Sequence, residues 1–502
     1  MLKGGDNNMK IKFKQGINPN QEFLFPKKLT EFLPEEHLAK TIREIVDQLN
    51  LSNIEEKYSS LGQHAYDPKM MVSLLFYGYA KGIRSSRKIS EGCENRFDFI
   101  FLSDGQKPSH DRISDFRKDN IEELKDIFKI VVLAGANLGL ARIGNINTSI
   151  DGAKVKANAS PKMSKDEDGL LKLLLKADEE INKMLSEAEQ VDNEEDQKYG
   201  KDKRGDELPK KLRSKQSRKK AIEEALEKLK HQKEEAKNKM IEEKKREPTR
   251  SEMKKINKMK INITDNDAKF MQERNGVIRP NYNAQLSVDE KEQFILANDV
   301  VAECNDQHQL VAMTQQTKEN IRESPNKVNA DNGYYPELEK ATEKFPETDF
   351  YIDDRNRRKE DLNLKELKEK YNEIQFKNLK KLLTKQGEKQ YKKRMYTVEP
   401  PIGNLKHNLG YRYFLLRGTD KVKGEFNIMC TAHNLKKIHK KISGKKKINL
   451  AVALSDVQKT RKIRKKMQGV EGKNWMDGRK DSLNQLPLIK NNFFVNNSMR
   501  LF

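Results

Sequence analysis

Two aspartates, far apart in the chain, each close a short apolar run and meet a glycine within two residues. The segments are Ser149-Ile150-Asp151-Gly152 and Val328-Asn329-Ala330-Asp331-Asn332-Gly333. A strand that ends this way delivers a carboxylate to its C-terminal edge, where open α/β sheets hold their sites. Either Asp-Gly pair alone is ordinarily a turn; the repetition constrains the chain toward an α/β fold. A third acid, Glu399, stands before Pro400-Pro401 and a helical pattern. The chain carries a net charge of +23, from 100 Lys and Arg against 77 Asp and Glu. That surplus favours polyanions, nucleic acid first among them. Three such carboxylates on a strongly basic protein point to a divalent-metal site working on phosphodiesters.

With 502 residues the chain has room for two or three domains. Hydrophobic and charged residues each make up 35%. The apolar share is low for one globule but enough for a core plus a long solvated helical section. No run of about 18 apolar residues is present to span a bilayer, and residues 1–30 lack an apolar signal-peptide core. No membrane partner is expected, and the location expected is the cytoplasm. Cys93, Cys304 and Cys430 have no paired spacing, which argues against both a disulfide framework and a zinc finger.

Along the chain, residues 30–140 read as helical. Leu38, Ile42, Ile45, Val46 and Leu49 follow helical spacing. Asp67-Pro68 supplies an N-cap and a proline at the first helical position, ahead of an apolar stripe through Met70, Met71, Leu74, Leu75 and Tyr79 that Gly82 ends. Short helices from Ser85 and Ser109 follow, a spacing compatible with either a helix-turn-helix or a plain bundle. A first strand is expected over 143–160. Then Leu171, Leu174, Ile181, Leu185 and Ala188 give one amphipathic helix. Ile222, Ala225, Leu226, Leu229, Ala236 and Met240 give another, with a polar stretch at 192–216 between them. This reads as a helical hairpin inserted at about 165–260, an antiparallel intramolecular pair with Gln232 as an interrupting polar position. Two antiparallel strands over 281–288 and 294–303, a helix over 309–321 and a strand over 327–331 follow. Residues 337–395 read as charged and mostly helical. Pro401 disfavours helical geometry at Pro400, so a helix is expected to start just after Glu399. From Ser443 the chain is Lys- and Arg-rich, with Lys445-Lys446-Lys447 and a basic run over 461–466, and reads as a tail that contacts phosphates without reading sequence.

The ordered set of short motifs resembles the DDE transposases of bacterial insertion sequences, and most of all their eleven-eighty-two group. Beside the three acids, the likeness runs through Gln15-Gly16-Ile17-Asn18, Phe25-Pro26, Ala65-Tyr66-Asp67-Pro68-Lys69-Met70 and Gly82-Ile83-Arg84-Ser85-Ser86-Arg87. It continues through Asn281-Tyr282-Asn283-Ala284-Gln285, Asn305-Asp306-Gln307-His308, Gly410-Tyr411-Arg412-Tyr413 and Ala432-His433-Asn434-Leu435. It spans most of residues 10–440.

The resemblance implies a ribonuclease H-like α/β catalytic core over 141–442, with the helical insertion inside it. It also implies an N-terminal helical domain over 1–140 for end binding or dimerisation, and leaves 443–502 as the basic tail. It assigns Asp151, Asp331 and Glu399 to catalysis and to holding two Mg2+ ions, for which Mn2+ can substitute. The expected partners are terminal inverted repeats and target DNA, met by a homodimer on the bacterial nucleoid. Tyr391, Arg394, Glu399 and Lys406 resemble a tyrosine-arginine-glutamate-lysine signature of related transposases, although here one extra residue separates Arg394 from Glu399. Tyr391, Arg394, Lys406 and Arg412 are the expected DNA-contacting residues; a solvated basic face is the plain alternative for Lys406 and Arg412. Asn283, Gln285, Asn298, Asp299, Asn305 and Asp306 read mostly as structural polar residues of a hairpin, and His433 as a packed or capping histidine. Three alternatives stay open: a decayed transposase that binds without cutting, a plain metal-dependent nuclease, and a lysine-rich helical scaffold.

Overall fold

The structure, a computed structural model, describes residues 28–58, 64–141, 144–199, 210–273, 275–358 and 363–443. The Gln15–Asn18 and Phe25-Pro26 motifs and the basic tail from 444 onward lie outside those residues.

Among the described residues the strands are β1 (Asn147–Lys156), β2 (Ser164–Lys165), β3 (Ile261–Asn262), β4 (Lys269–Gln272), β5 (Ile278–Asp289), β6 (Ile295–Val301), β7 (Lys327–Ala330) and β8 (Asp349–Ile352). Six of them form one mixed sheet. β5 runs antiparallel beside β1 and pairs on its other edge with β4 and β6. β7 and β8 continue the sheet from the opposite edge of β1, both parallel to it in sense. The hairpin β5–β6 turns through Asp289, whose carboxylate accepts from the backbone N–H groups of Lys291 and Glu292 at 2.9 and 3.0 Å. Parallel strands need a crossover, and Leu310–Ile321 supplies it between β6 and β7. Residues 337–395 are mostly helical, as their sequence reads, but β8 interrupts them and was not expected. Its four residues Asp-Phe-Tyr-Ile are too few to show a period. They form a strand because Phe350 and Ile352 are buried in the core beside β7.

One face of the sheet is closed by the helices Leu310–Ile321 and Leu338–Lys344. Ile150, Val328, Ala330, Phe350 and Ile352 meet Leu310, Met313, Leu338 and Phe345 there. On the other face, Ala153, Val155, Ala284 and Leu286 share an apolar pocket with Leu405, Phe414, Phe426 and Met429. Phe426 and Met429 belong to the long helix Thr419–Ile442, which is buried along most of its length.

The N-terminal region is helical, as its spacing predicts. Asp67 accepts from the Lys69 N–H at 2.7 Å and caps Pro68–Ala80, with proline in the first turn. The expected stripe is an understatement: Phe76 and Tyr77 are fully buried as well, so the helix is covered all round. Its outer wall is the helix Thr419–Ile442, which also packs on Ile121–Asn137. Gly82, at φ +75°, comes so close to the Leu409 carbonyl that a Cβ would stand 3.0 Å from it. Arg84 seals the junction. Its Nη1 donates to the Tyr413 carbonyl at 2.5 Å and to the fully buried Glu425 at 3.3 Å. The first helices are therefore a bundle built against the C-terminal helix.

Between β1 and β4 stand two long helices, Glu167–Tyr199 and Lys210–Lys244, with a capped short one at Arg250–Asn257. The two long helices pack through Leu170, Ile222, Ala225, Leu226 and Leu229. The buried line on the first runs through Leu170, Ala177 and Ile181, whereas Leu171 is exposed. Gln232, read as an interruption of the seam, accepts a hydrogen bond from Lys269 on β4 and ties the insertion to the sheet edge.

Candidate functional site

The register fixes where the two aspartates emerge. Ser149 of β1 lies opposite Asn329 of the parallel β7, so two residues later both chains reach an aspartate, Asp151 and Asp331. β7 stops at Ala330 while β1 runs on to Lys156, which leaves a notch beside the second half of β1. Asp331 turns back on itself there, its Oδ1 accepting from the Gly333 N–H at 2.8 Å.

The third acid arrives from the far side of the sequence. Arg394–Thr397 and Glu399–Gly403 are short helical segments with Val398 between them, itself in right-handed helical geometry. The path is nearly continuous, so Glu399 is the first residue of its segment. This corrects the expectation that the helix begins after it. Proline at the first helical positions removes only N–H groups that would be orphaned anyway, and Pro400-Pro401 occupies those positions. The chain then widens into one π-type turn, Asn404–Asn408, a form that recurs at functional sites.

Arg394 joins the acids. Its Nη1 donates to Asp151 Oδ2 at 3.0 Å, and its Nη2 stands 3.9 Å from Glu399 Oε1. Asp151 is only 6% exposed. Burial pushes its carboxyl up to about 6; Arg394 works against that rise, and Asp331 and Asp306 add to it. Burial also raises Asp331, against the Gly333 N–H and Arg394, with Asp306 and Asp353 reinforcing it. These groups form a negatively crowded notch with one guanidinium in it, buried at Asp151, partly buried at Asp331 and open to solvent at Glu399.

The remaining expected residues take different places. Tyr391 is buried with Tyr351 and Leu382 and lies under the Arg357 guanidinium, 5.0 Å from its ring centre. Lys406 reaches across β1 and donates to the Lys154 carbonyl at 2.7 Å, so it is not a freely solvated lysine. Arg412 is exposed, beside the half-exposed Tyr413, and its carbonyl accepts from the N–H of Lys156 at the far end of β1. Among the described residues no three His, Cys, Asp or Glu side chains enclose a metal-sized space. The donor set nonetheless suits a hard cation: the acids are oxygen donors, burial raises two of the carboxyl groups and their neighbouring carboxylates add to it, and an arginine side chain supplies the positive charge.

Sequence reasoning gave too little to β5. Asn281, Asn283 and Gln285 are all fully buried on this internal strand. Asn283 Nδ2 and Gln285 Nε2 donate to Asp306 Oδ1 at 2.7 and 2.6 Å. Tyr334, three residues after Asp331, donates to Gln285 Oε1 and orients that amide. The available signal was the alternation Asn-x-Asn-x-Gln itself, since polar residues at every second position of an internal strand need buried partners.

Residues 27–119 match the transposase domain family DUF772, and residues 354–439 match the transposase DDE domain family. Together the two matches support an insertion-sequence DDE transposase. No curated protein and no solved structure is matched. The DDE-domain match contains Tyr391, Arg394, Glu399, Lys406 and Arg412, while Asp151 and Asp331 precede it. The other transposase match covers Leu38–Asp47 and Pro68–Ala80, two of the helices that pack on Thr419–Ile442, and ends before Ile121–Asn137. Transposases act on DNA, in keeping with a charge of +23. No helix among the described residues is long and apolar enough to cross a membrane.

Proposed function

We propose that this protein binds the terminal inverted repeats of an insertion sequence, hydrolyses a phosphodiester at each end and joins the freed 3′-hydroxyl to target DNA. In this reading the catalytic part is ribonuclease H-like, Asp151, Asp331 and Glu399 hold two Mg2+ ions, and a homodimer assembles on DNA. The observation that carries it is the register of β1 and β7, which sets Asp151 and Asp331 side by side at the open end of the sheet, with Arg394 reaching toward Glu399. The strand order also supports it: an antiparallel hairpin on one edge of β1 and two parallel strands on the other.

Bound divalent cations would stabilise the charge on the entering and leaving oxygens of an in-line displacement. The chain's own residues do the rest. Asp151 is held within β1, which runs on past it rather than ending there as the sequence suggested, Asp331 directly follows β7, and Glu399 begins a helical segment, so little reorganisation of the backbone is needed when substrate arrives. Arg394 cancels the crowding of the carboxylates in the free protein. Its planar array of N–H donors also suits a phosphate, so it is the group here that can exchange a carboxylate for DNA. Lys406, held on β1 at Lys154, and exposed Arg412, against Lys156, add positive charge farther along the same strand.

The test is cleavage of a duplex ending in the element's terminal repeat, with Mg2+, by the full chain and by Asp151→Ala, Asp331→Ala and Glu399→Ala. Each variant is expected to lose cleavage and joining while keeping end binding. Full Mg2+-dependent cleavage by any one of them removes that residue from the assignment. Cleavage by the wild type without joining of a labelled 3′-end to plasmid makes the protein a nuclease.

A further inference from the structure

We infer that Asp306 is a fourth carboxylate of the candidate metal site, presenting one oxygen toward the cation while buried amides hold the other. The inference rests on the metal-dependent reading above and extends it to a residue outside the three assigned acids.

Asp306 lies in the loop between β6 and the helix Leu310–Ile321. Two buried amides fix its Oδ1, and a third side chain, Tyr334, fixes one of those amides. Among the described residues nothing donates to Oδ2, and the residue is only partly buried. Carboxylates that bind metals are commonly held this way, with one oxygen tied by hydrogen bonds that set its direction.

Space around the group points the same way. Gly152 and Gly333 follow the two site aspartates by one and two residues. A Cβ on Gly152 would stand 2.5 Å from Asp306 Oδ1 and 2.9 Å from Asn283 Oδ1. A Cβ on Gly333 would stand 3.5 Å from Asp306 Oδ2. The two glycines therefore let the Asp306 carboxylate come in against both aspartate segments. Strand alternation sends the Asp151 side chain to one face of β1 and leaves the bare Gly152 on the other, so Asp306 closes the notch from the side opposite Arg394. One further oxygen beside it, Asn283 Oδ1 on a fully buried residue, is buried without a hydrogen-bond partner.

Asn at 306 separates the roles. Asp306→Asn keeps an oxygen that accepts from Asn283 and Gln285, and removes only the charge and the free oxygen. A purely structural role is therefore satisfied by Asn, whereas a ligand role is not. The experiment is Mn2+ titration of the full chain without DNA, followed by electron paramagnetic resonance of the free ion, on wild type, Asp306→Asn and Asp151→Asn, with thermal midpoints recorded on each. The expected result is a loss of Mn2+ affinity of about 10- to 100-fold in Asp306→Asn, at an unchanged thermal midpoint, with slower cleavage of a terminal-repeat duplex. Wild-type Mn2+ affinity in Asp306→Asn, beside a loss in Asp151→Asn, overturns the fourth carboxylate and leaves the metal-dependent reading standing. Absence of Mn2+ binding by the wild-type chain, with and without the duplex, overturns both.

Discussion

His433 sits in the middle of the helix Thr419–Ile442 and is 4% exposed. Asn408 Nδ2 donates to Asn404 Oδ1 at 3.1 Å, which turns the Asn404 amide nitrogen toward His433 Nδ1 at 3.2 Å. Nδ1 must therefore accept, and Nε2 carries the proton it donates to the Gln293 carbonyl, also at 3.2 Å. Both ring nitrogens are committed in the neutral form, and a second proton has no place without breaking the Asn404 bond. Burial lowers the pKa from 6.5 to about 4; the Gln293 carbonyl works against that shift, and Lys437 and Lys436 reinforce it. In the unfolded chain histidine keeps a value near 6.5. Between those two values the unfolded chain binds a proton that the folded chain refuses. Stability from this group is full above about pH 6.5 and is lost as the pH falls toward 4, a change of about 3 kcal/mol. The assay is urea unfolding of wild type and His433→Gln across that range. Glutamine offers one donor and one acceptor and never charges, so the wild type should lose about 3 kcal/mol more than the variant on acidification. Curves that stay parallel within about 0.5 kcal/mol would refute the neutral, doubly bonded imidazole.

Three other outcomes follow from the same packing and from the charge. Glu425, fully buried, accepts from the Leu415 and Leu416 N–H groups at 2.9 Å and pairs with Arg84. Glu425→Ala leaves Arg84 buried without its carboxylate, and urea unfolding should show a loss of about 3–5 kcal/mol; a loss below about 1 kcal/mol would mean that the junction tolerates an unpaired arginine. DNA affinity should fall linearly with salt on logarithmic axes, by about 0.9 per phosphate contact. Truncation after residue 442 should reduce that slope for all sequences alike, and changes in 65–120 should alter preference for terminal repeats. Competition binding in which truncation alone abolishes that preference would reverse this division.

Periodicity and capping made the helices of residues 38–137 legible, because Asp67-Pro68 and Ser109 carry their instructions locally. The hairpin β5–β6 and the strand before Asp331 were legible for the same reason. β8 was not, since a four-residue run owes its strand form to the neighbour it pairs with. The exposed Leu171 beside the buried Leu170 shows the same limit, because both positions fit an amphipathic helix and only the partner helix selects one. At the site, the sequence pointed to Asp151, Asp331, Glu399 and Arg394 through motif context, but not to the ion pair that joins Arg394 to Asp151 across 243 residues. Such a pair has no local signature.

The extra residue between Arg394 and Glu399 gains a physical account from the same geometry. Arg394 and Glu399 sit on two short helical segments separated by Val398, and one guanidinium still spans from Asp151 to the neighbourhood of Glu399. Arginine is long enough to absorb a residue of slippage in its own position, whereas Asp151 and Asp331 are fixed by the register of β1 and β7. The π-type turn at Asn404–Asn408 follows directly and carries Lys406 onto β1 rather than out along a regular helix. Its far side is anchored by His433 through Asn404. The imidazole, the turn and the Glu399 segment are therefore consecutive parts of one support, and weakening His433 by acid loosens the element that brings Glu399 to the notch.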